Sequence, residues 1–391
     1  MSVWYNSFMK LSRKILLLFG IIILGTLIFL VFQNKKAIAP PNIINNLAKV
    51  SPSVSQTKTD IPKETVIAQN LDTPWAIAFL PDGSLLVTER AGRIHLLNKN
   101  GEVRSIEFST AQSVKEIGEG GLLGIVLHPD FSSNHYVYIY YTYSGENNNT
   151  LNRVSRFTLN DTKMTDEKII VDRIPGASNH NGGRIKFGPD KLLYITTGDS
   201  QDPSLAQDRN SLAGKILRTT DEGKPASGNP FGNLTYSYGH RNPQGIAWDK
   251  NGNLWQTEHG RSAPTGLDEI NLIEYGKNYG WDIIQGNETR SGMITPVRNS
   301  GPNTTWAPAG AAFVGGSLFF AGLRGQSLYE AVIENNQVRE LKEHFVGQYG
   351  RLREVILGHD GVLYITTSNR DGRGIPKSED DRIIRVNPAK L

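Results

Sequence analysis

From Trp75 onward the chain repeats one pattern six times, and this repetition constrains the fold more than any other feature. The copies begin at Trp75 ("WAIAFLPDGSLLVTERAGRIHLL"), Leu123 ("LGIVLHPDFSSNHYVYIYYTY"), Gly183 ("GRIKFGPDKLLYITTGD"), Gln244 ("QGIAWDKNGNLWQTEHG"), Ala309 ("AGAAFVGGSLFFAGLRGQSLYEA") and Arg353 ("REVILGHDGVLYITTSNRDG"). Each holds a short alternating apolar strand, then a turn such as Pro-Asp-Gly, Asn-Gly or His-Asp-Gly. A second strand rich in Leu, Tyr, Ile, Val and Thr follows. A polar loop and often a further strand come next, as in "GRIHLL" and "DRIIRV". Six such units of about four strands predict an all-β, six-bladed β-propeller, because no unit can cover both faces of its own sheet and neighbours must stack until the ring closes. "ETVIAQNL", Glu64 to Leu71, is a lone strand ahead of the first copy and is expected to complete the last blade.

The N-terminus has a different character. An apolar run from Ile15 to Phe32, preceded by Lys10, Arg13 and Lys14, is just long enough to span a bilayer as a helix of roughly 18 residues. It exceeds the apolar core of a cleaved signal peptide, roughly 7–15 residues. "AIA" at Ala37–Ala39 resembles a cleavage site, but Pro40 follows it directly. The expected organisation is therefore a transmembrane signal-anchor over 1–36, a flexible linker rich in Pro, Ser, Asn and Thr over 37–62, and the propeller over 63–391. The body is then extracytoplasmic, membrane-anchored or, if the leader is cleaved, secreted.

With no cysteine in 391 residues, disulfides, Cys-ligated zinc, iron–sulfur clusters and a Cys nucleophile are excluded. The formal charge of +4 is spread without a Lys/Arg block, so nucleic acid is not an expected partner. No nucleophile elbow, phosphate-binding P-loop or His-Glu-x-x-His motif occurs.

In a propeller, residues just ahead of each innermost strand look into one mouth of the central channel. His180 precedes "RIKFG", Glu119 precedes "LLGIV", Arg241 and Asn242 precede "GIAW", and Arg351 precedes "REVIL". Arg351 and Arg353 are spaced i, i+2, which on a strand puts both on one face. Two adjacent guanidiniums repel unless an anion lies between them, and Arg suits bidentate carboxylate or phosphate binding. With Arg241 and Arg324 they predict a site for a small polyanion, although any one of them alone would read as a solvated surface side chain. His180 has the side chain best suited to moving a proton near neutral pH. Glu258, Asp268, Glu269 and Asp282, in a long excursion of the fourth repeat, offer hard oxygen donors of the kind Ca²⁺ takes.

The stretches "GGLLGIVLHPDF", "NHNGGRIKFGPD", "YGHRNPQGIAW", "EHGRSAPTGLDEINLIEYGKNYGWD" and "GRLREVI", in this order, resemble the soluble pyrroloquinoline-quinone-dependent sugar dehydrogenases, a family of glucose and aldose sugar dehydrogenases. The resemblance runs from about Glu64 to the C-terminus. It implies a six-bladed propeller that oxidises the anomeric hydroxyl of an aldose to the lactone, with hydride transfer to pyrroloquinoline quinone (PQQ) assisted by Ca²⁺, and an external electron acceptor. By that resemblance His180 matches the general base and Arg241 the Arg beside the reacting quinone oxygens. Asn242 matches a neighbouring cofactor ligand, Arg351 and Arg353 the pair on the cofactor carboxylates, and Arg324 a basic position that is commonly Lys. Gly260 and Arg261 match the loop whose backbone carbonyls hold the catalytic Ca²⁺. Glu269 and Tyr279 match ligands of a second, structural Ca²⁺. Two positions depart from the glucose-oxidising branch: Glu119, at a cofactor-side position, replaces Gln, and Asn179 replaces Asp. The segment "NETRSGMITPVRNSGPNTTWAP" is short for that branch, which favours the aldose type with an open sugar site. A Ca²⁺-dependent lactonase or hydrolase, which needs a carboxylate-rich central metal site, and a non-catalytic binding propeller are the alternatives on the same fold.

Overall fold

The computed structural model describes residues 61–261 and 266–391. The expected anchor over 1–36, and the linker up to residue 60, lie outside the described residues. Among the described residues no helix is long and apolar enough to cross a membrane.

The described chain forms six four-stranded antiparallel sheets. The first strand, β1 (Glu64–Ala68), stands apart from the first sheet, which is β2 (Pro74–Phe79), β3 (Leu85–Glu89), β4 (Arg93–Leu97) and β5 (Val103–Ser105). The second is β6 (Leu122–Leu127), β7 (Tyr136–Ser144), β8 (Thr150–Asn160) and β9 (Lys163–Pro175). The third is β10 (Ile185–Phe187), β11 (Leu193–Thr197), β12 (Lys215–Thr219) and β13 (Thr235–Tyr238). The fourth is β14 (Pro243–Trp248), β15 (Leu254–Glu258), β16 (Glu269–Ile273) and β17 (Arg298–Asn299). The fifth is β18 (Pro308–Val314), β19 (Ser317–Gly322), β20 (Leu328–Glu334) and β21 (Gln337–His344). The last is β22 (Leu352–Leu357), β23 (Leu363–Thr367) and β24 (Ile383–Val386), with β1 as its outermost strand.

Pairing of β1 with β24, Val66 opposite Ile384, closes the ring as the lone leading strand implied. The blades touch in a cycle: β2 with β6, β6 with β10, β11 with β14, β14 with β18, β18 with β22 and β22 with β2. Between them the large side chains Trp75, Tyr138, Tyr140, Trp255 and Phe320 are fully buried. Aromatics of this size remove about 150–250 Å² each from water, so the inter-blade layers carry most of the hydrophobic stabilisation. Helix among the described residues is confined to single turns such as Phe131–Asn134 and Ser204–Gln207.

The architecture sorts the loops by end. Tight turns joining first to second strands, such as Asp82-Gly83 with Gly83 at φ +86° and Asp82 accepting from the Ser84 amide at 2.9 Å, lie at one end. Loops leading into each innermost strand, and loops joining second to third strands, lie at the other. Two sets of residues far apart in the chain therefore meet on one rim.

Candidate active site

That rim holds a cleft of about 630 Å³ with Glu119, Asn179, His180, Arg241, Gly260, Arg261, Arg324, Arg351 and Arg373 among its lining residues. Its volume is typical of small-ligand sites. Five arginines against the carboxylates of Glu119 and Asp268 make it strongly positive.

His180 sits at φ +61°, in the left-handed region, followed by Gly182 at φ +64°. This tight reversal feeds β10 and leaves no room beside the histidine carbonyl: a Cβ on Gly198 would fall 1.9 Å from it. The His180 Nδ1 lies 2.7 Å from Oδ1 of Asp199, which is 1 % exposed. A carboxylate only accepts, so Nδ1 carries the proton and Nε2 is left as the lone-pair nitrogen. Asp199 is itself fixed: Oδ1 accepts from the Gln201 amide at 2.8 Å and Oδ2 from the Trp281 indole at 2.7 Å. The loop carrying it is pinned by buried Lys215, whose ammonium donates to the carbonyls of Leu205, Ala206 and Ala213 at 2.8, 3.0 and 2.6 Å. Support for the histidine thus comes from Asp199; Asn179 instead accepts from Arg373 at 2.6 Å.

Arg241 is buried, with its guanidinium 5.3 Å from the Trp281 ring and its backbone amide donating to Glu258. Burial pushes its pKa down, against the pull of Asp199, Glu119 and Glu258. Asn242 is fully buried beneath the cleft; its Oδ1 accepts from the Gly182 amide at 3.0 Å and its amide reaches Glu119 at 3.5 Å. Arg351 lines the cleft, whereas Arg353 lies below it, 4 % exposed. The anion between this pair is resident: Asp371 Oδ2 is 2.8 Å from Arg351 Nη2 and 3.5 Å from Arg353 Nη2. Exposed Arg324 has no side-chain hydrogen bond or ion pair among the described residues.

Glu119 is held by three donors: the His180 amide at 3.0 Å, Asn242, and Arg373 at 2.6 Å. Burial raises its pKa, but the fields of His259 and Arg373 and these hydrogen bonds outweigh it and hold the carboxyl down at about 2. Burial pushes His259 down to about 4, so at neutral pH that ring is uncharged and Arg373 does the pairing. The Glu119 carboxylate is therefore ionised and neutralised by an arginine that bridges it to Asn179.

The long fourth-blade loop divides its carboxylates. Asp268 accepts from Gly260 N (2.9 Å), Thr305 Oγ1 (2.7 Å), Trp306 N (2.6 Å) and Ala307 N (2.9 Å), and so shapes the rim instead of presenting a free oxygen. Glu258 accepts from His240 Nδ1 at 2.9 Å and Gln256 Nε2 at 2.7 Å. Glu269 lines a small adjoining cavity with Glu258, Gly260 and Arg261; burial and the charge of Glu258 push its pKa up to about 8. Tyr279 does not join it through its hydroxyl, which donates to the Leu272 carbonyl at 2.6 Å. Asp282 is exposed, and among the described residues no group of three or more His, Asp or Glu gathers as a metal site.

Asp199, Trp281, His259, Asp371 and Arg373 escaped the sequence reading. All but Trp281 lie at or beyond the ends of second strands β11, β15 and β23. Arg324 also follows a second strand, β19, so these loops are the region to search, but their offsets from the strand ends differ and set no single position.

Fold and site together define a β-propeller enzyme with a guanidinium-lined cleft and an oriented histidine. Residues 71–379 match the family model described as Glucose / Sorbosone dehydrogenase, and the chain belongs to that family, a family of oxidoreductases. It is 33% identical over 338 residues to Aldose sugar dehydrogenase YliI of Escherichia coli, a match covering 78% of this chain and 90% of that one. It is 35% identical over 273 residues to Quinoprotein glucose dehydrogenase B of Acinetobacter calcoaceticus, covering 61% and 56%. The solved PQQ-bound aldose sugar dehydrogenase of Streptomyces coelicolor superposes with a TM-score of 0.76 at 40% identity, over 82% of this chain and 96% of that one.

Proposed function

We propose that the protein oxidises the anomeric hydroxyl of aldose sugars to the lactone, using PQQ and Ca²⁺ and passing electrons to an external acceptor. The observation that carries this reading is the His180–Asp199 pair, at 2.7 Å, inside a cleft lined by five arginines. The residues fit the groups required. A cleft of about 630 Å³ with an arginine lacking a described partner suits a flat polycarboxylate. Backbone carbonyls of Gly260 and Arg261, on a peptide anchored through the Gly260 amide to Asp268, are the donor type a hard cation takes. When bound, PQQ would supply the two-electron acceptor and Ca²⁺ the Lewis acid.

The chain's own residues do the rest. Nε2 of His180 accepts the proton of the anomeric hydroxyl, and the Asp199 carboxylate on Nδ1 stabilises the imidazolium that results. Trp281 and Gln201 keep Asp199 from rotating away. Arg241 offers fixed positive charge where negative charge builds on the reacting oxygens. Arg324 and Arg351 hold carboxylates at the rim, with Arg353 and Asn242 supporting from below. Glu269 and Tyr279 remain the candidates for a second cation site, Tyr279 through its carbonyl.

The test is reconstitution with PQQ and Ca²⁺ and dye reduction with a panel of aldoses. His180→Ala should bind PQQ as the wild type does and lose turnover; no PQQ binding by the wild type would end the reading. We further propose, from the apolar run Ile15–Phe32 alone, that the body lies outside the cytoplasm on a membrane tether, which protease accessibility in intact cells would check.

A further inference from the structure

The innermost strands have two ends, and the sugar-oxidation reading uses only one. At the other, each strand finishes on or next to a large apolar residue: Phe79, Leu127, Phe187, Trp248, Phe313 and Leu357, one from each blade. They line a second cavity of about 560 Å³. Between the two cavities lies a polar floor. Arg184, 2 % exposed, pairs through Nη1 with Glu354, donates from Nε to the Gln244 carbonyl at 3.0 Å and stacks 4.4 Å from the Trp75 ring, while its buried Nη2 has no hydrogen-bond partner among the described residues. Lys186 also lines this cavity, and its ammonium makes one hydrogen bond, to the Ala311 carbonyl at 2.9 Å. Glu354 is committed elsewhere as well, accepting from the amides of Ile77 (3.4 Å) and Val355 (3.0 Å). Two cations therefore face one carboxylate at the base of an aromatic cup, with Lys191 and His359 at its rim. Lys191 already has a partner in Asp130 at 3.5 Å.

A buried cation with unused donors costs free energy unless an acceptor reaches it. Apolar walls with a few converging polar groups are also the usual make-up of a small-molecule site. We propose that this lower mouth is a second, non-catalytic binding site for a small aryl-alkyl carboxylate, its charged group on Lys186 beside Arg184 and its ring within the cup of Phe79, Phe187, Trp248 and Phe313. The site shares no lining residue with the upper cleft, so its occupancy is independent of the dehydrogenase reading.

The experiment is calorimetric titration of the full chain with phenylbutyrate, using phenylbutanol and phenylbutylamine as neutral and cationic controls of the same shape. Phenylbutyrate should bind one-to-one, phenylbutanol at least tenfold more weakly, and phenylbutylamine without saturation. Lys186→Gln should weaken phenylbutyrate at least tenfold and leave phenylbutanol unchanged. Leu357→Glu, at the exposed rim, should do likewise by repulsion even if the first variant folds poorly. Arg324→Gln, in the upper cleft, should change nothing. The proposal is overturned if phenylbutyrate gives no saturable heat, if both lower-mouth variants bind it as the wild type does, or if Arg324→Gln abolishes binding. A dimer that Leu357→Glu dissociates, with no uptake of phenylbutyrate, would overturn it in favour of contact between copies.

Discussion

Replacing Asp199 by Asn tests the role of the carboxylate behind His180 with little change in shape. Oδ1 accepts from both His180 Nδ1 and the Gln201 amide, while Oδ2, among the described residues, accepts only from the Trp281 indole. The asparagine oxygen should therefore take the Oδ1 position, where it satisfies two donors. The amide group then faces the indole N–H, donor against donor. In this orientation the histidine tautomer survives, and what is lost is the negative charge that stabilises the imidazolium. A hydrogen bond to a charged group is worth about 1.5–3 kcal/mol, which corresponds to about 10–150-fold in rate. That is well short of the roughly 10⁴-fold loss seen in serine-protease triads when the wrong tautomer is imposed. The opposed donors should also cost about 1–3 kcal/mol of stability. The assays are dye-linked kcat on the reconstituted enzyme, PQQ titration by fluorescence quenching, and thermal melting. A fall in kcat within that window, unchanged PQQ affinity and a lower Tm are expected. A loss under threefold, or a loss in PQQ binding instead of kcat, would refute the argument that Asp199 acts through His180.

Glu119→Gln removes a negative charge from the cleft and releases Arg373, so PQQ should bind about three- to tenfold more tightly; weaker binding would show that Glu119 itself holds the ligand. Because the folded-state pKa of Glu119 is depressed to about 2, its contribution to stability is present above the ordinary carboxylate value and is lost as pH falls from about 4.5 to 2. The variant should accordingly show a flatter Tm–pH curve in that range. Added Ca²⁺ should raise the Tm, by about 2.7 kcal/mol of stability at one hundred times its dissociation constant, and a chelator should reverse this; Glu269→Gln should shrink the shift if a second ion binds there. Ile384→Ala, beneath the β1–β24 closure and 1 % exposed, should cost about 2–5 kcal/mol, read as a fall in melting temperature.

The ring was legible in the sequence because the fold repeats: six turn signals in a common register left few other architectures. The residues ahead of innermost strands were legible for the same reason, so His180, Glu119, Arg241 and Arg351 all stand in or beside the cleft. Arg353 lies a layer below Arg351, because i, i+2 spacing gives a face and not a depth, and Asn242 is turned beneath the cleft toward the Gly182 amide. Asp199, Asp371 and Arg373 were missed because loops between second and third strands differ in length from blade to blade and carry no fixed register. Among the fourth-blade carboxylates, Asp268 reads from composition as an oxygen donor, but the coordinates show four protein donors already on it.

The arrangement around Asp371 explains how a cluster of guanidiniums can wait for an anion without flying apart. Arg353 is buried, and burial together with Arg351 pushes its pKa down, yet Asp371 pulls back and leaves it at about 10, still protonated at neutral pH. One carboxylate shared by two guanidiniums leaves a net positive charge, so the pair is held in place and remains attractive to an incoming anion. Arg351 is tied further by its 3.2 Å bond to the Leu323 carbonyl, and Arg353 by its 3.1 Å bond to Ser368 Oγ. The conformational cost of gathering these side chains is thus met during folding and does not fall on ligand binding. Arg373 differs: its side chain is 51% exposed, and its carboxylate partner, Glu119, sits inside the cleft. An arriving polyanion competes with Glu119 for Arg373 but finds Arg351 and Arg353 already positioned. Affinity should therefore respond to Glu119→Gln by strengthening and to loss of Asp371 by weakening, although both changes delete a negative charge.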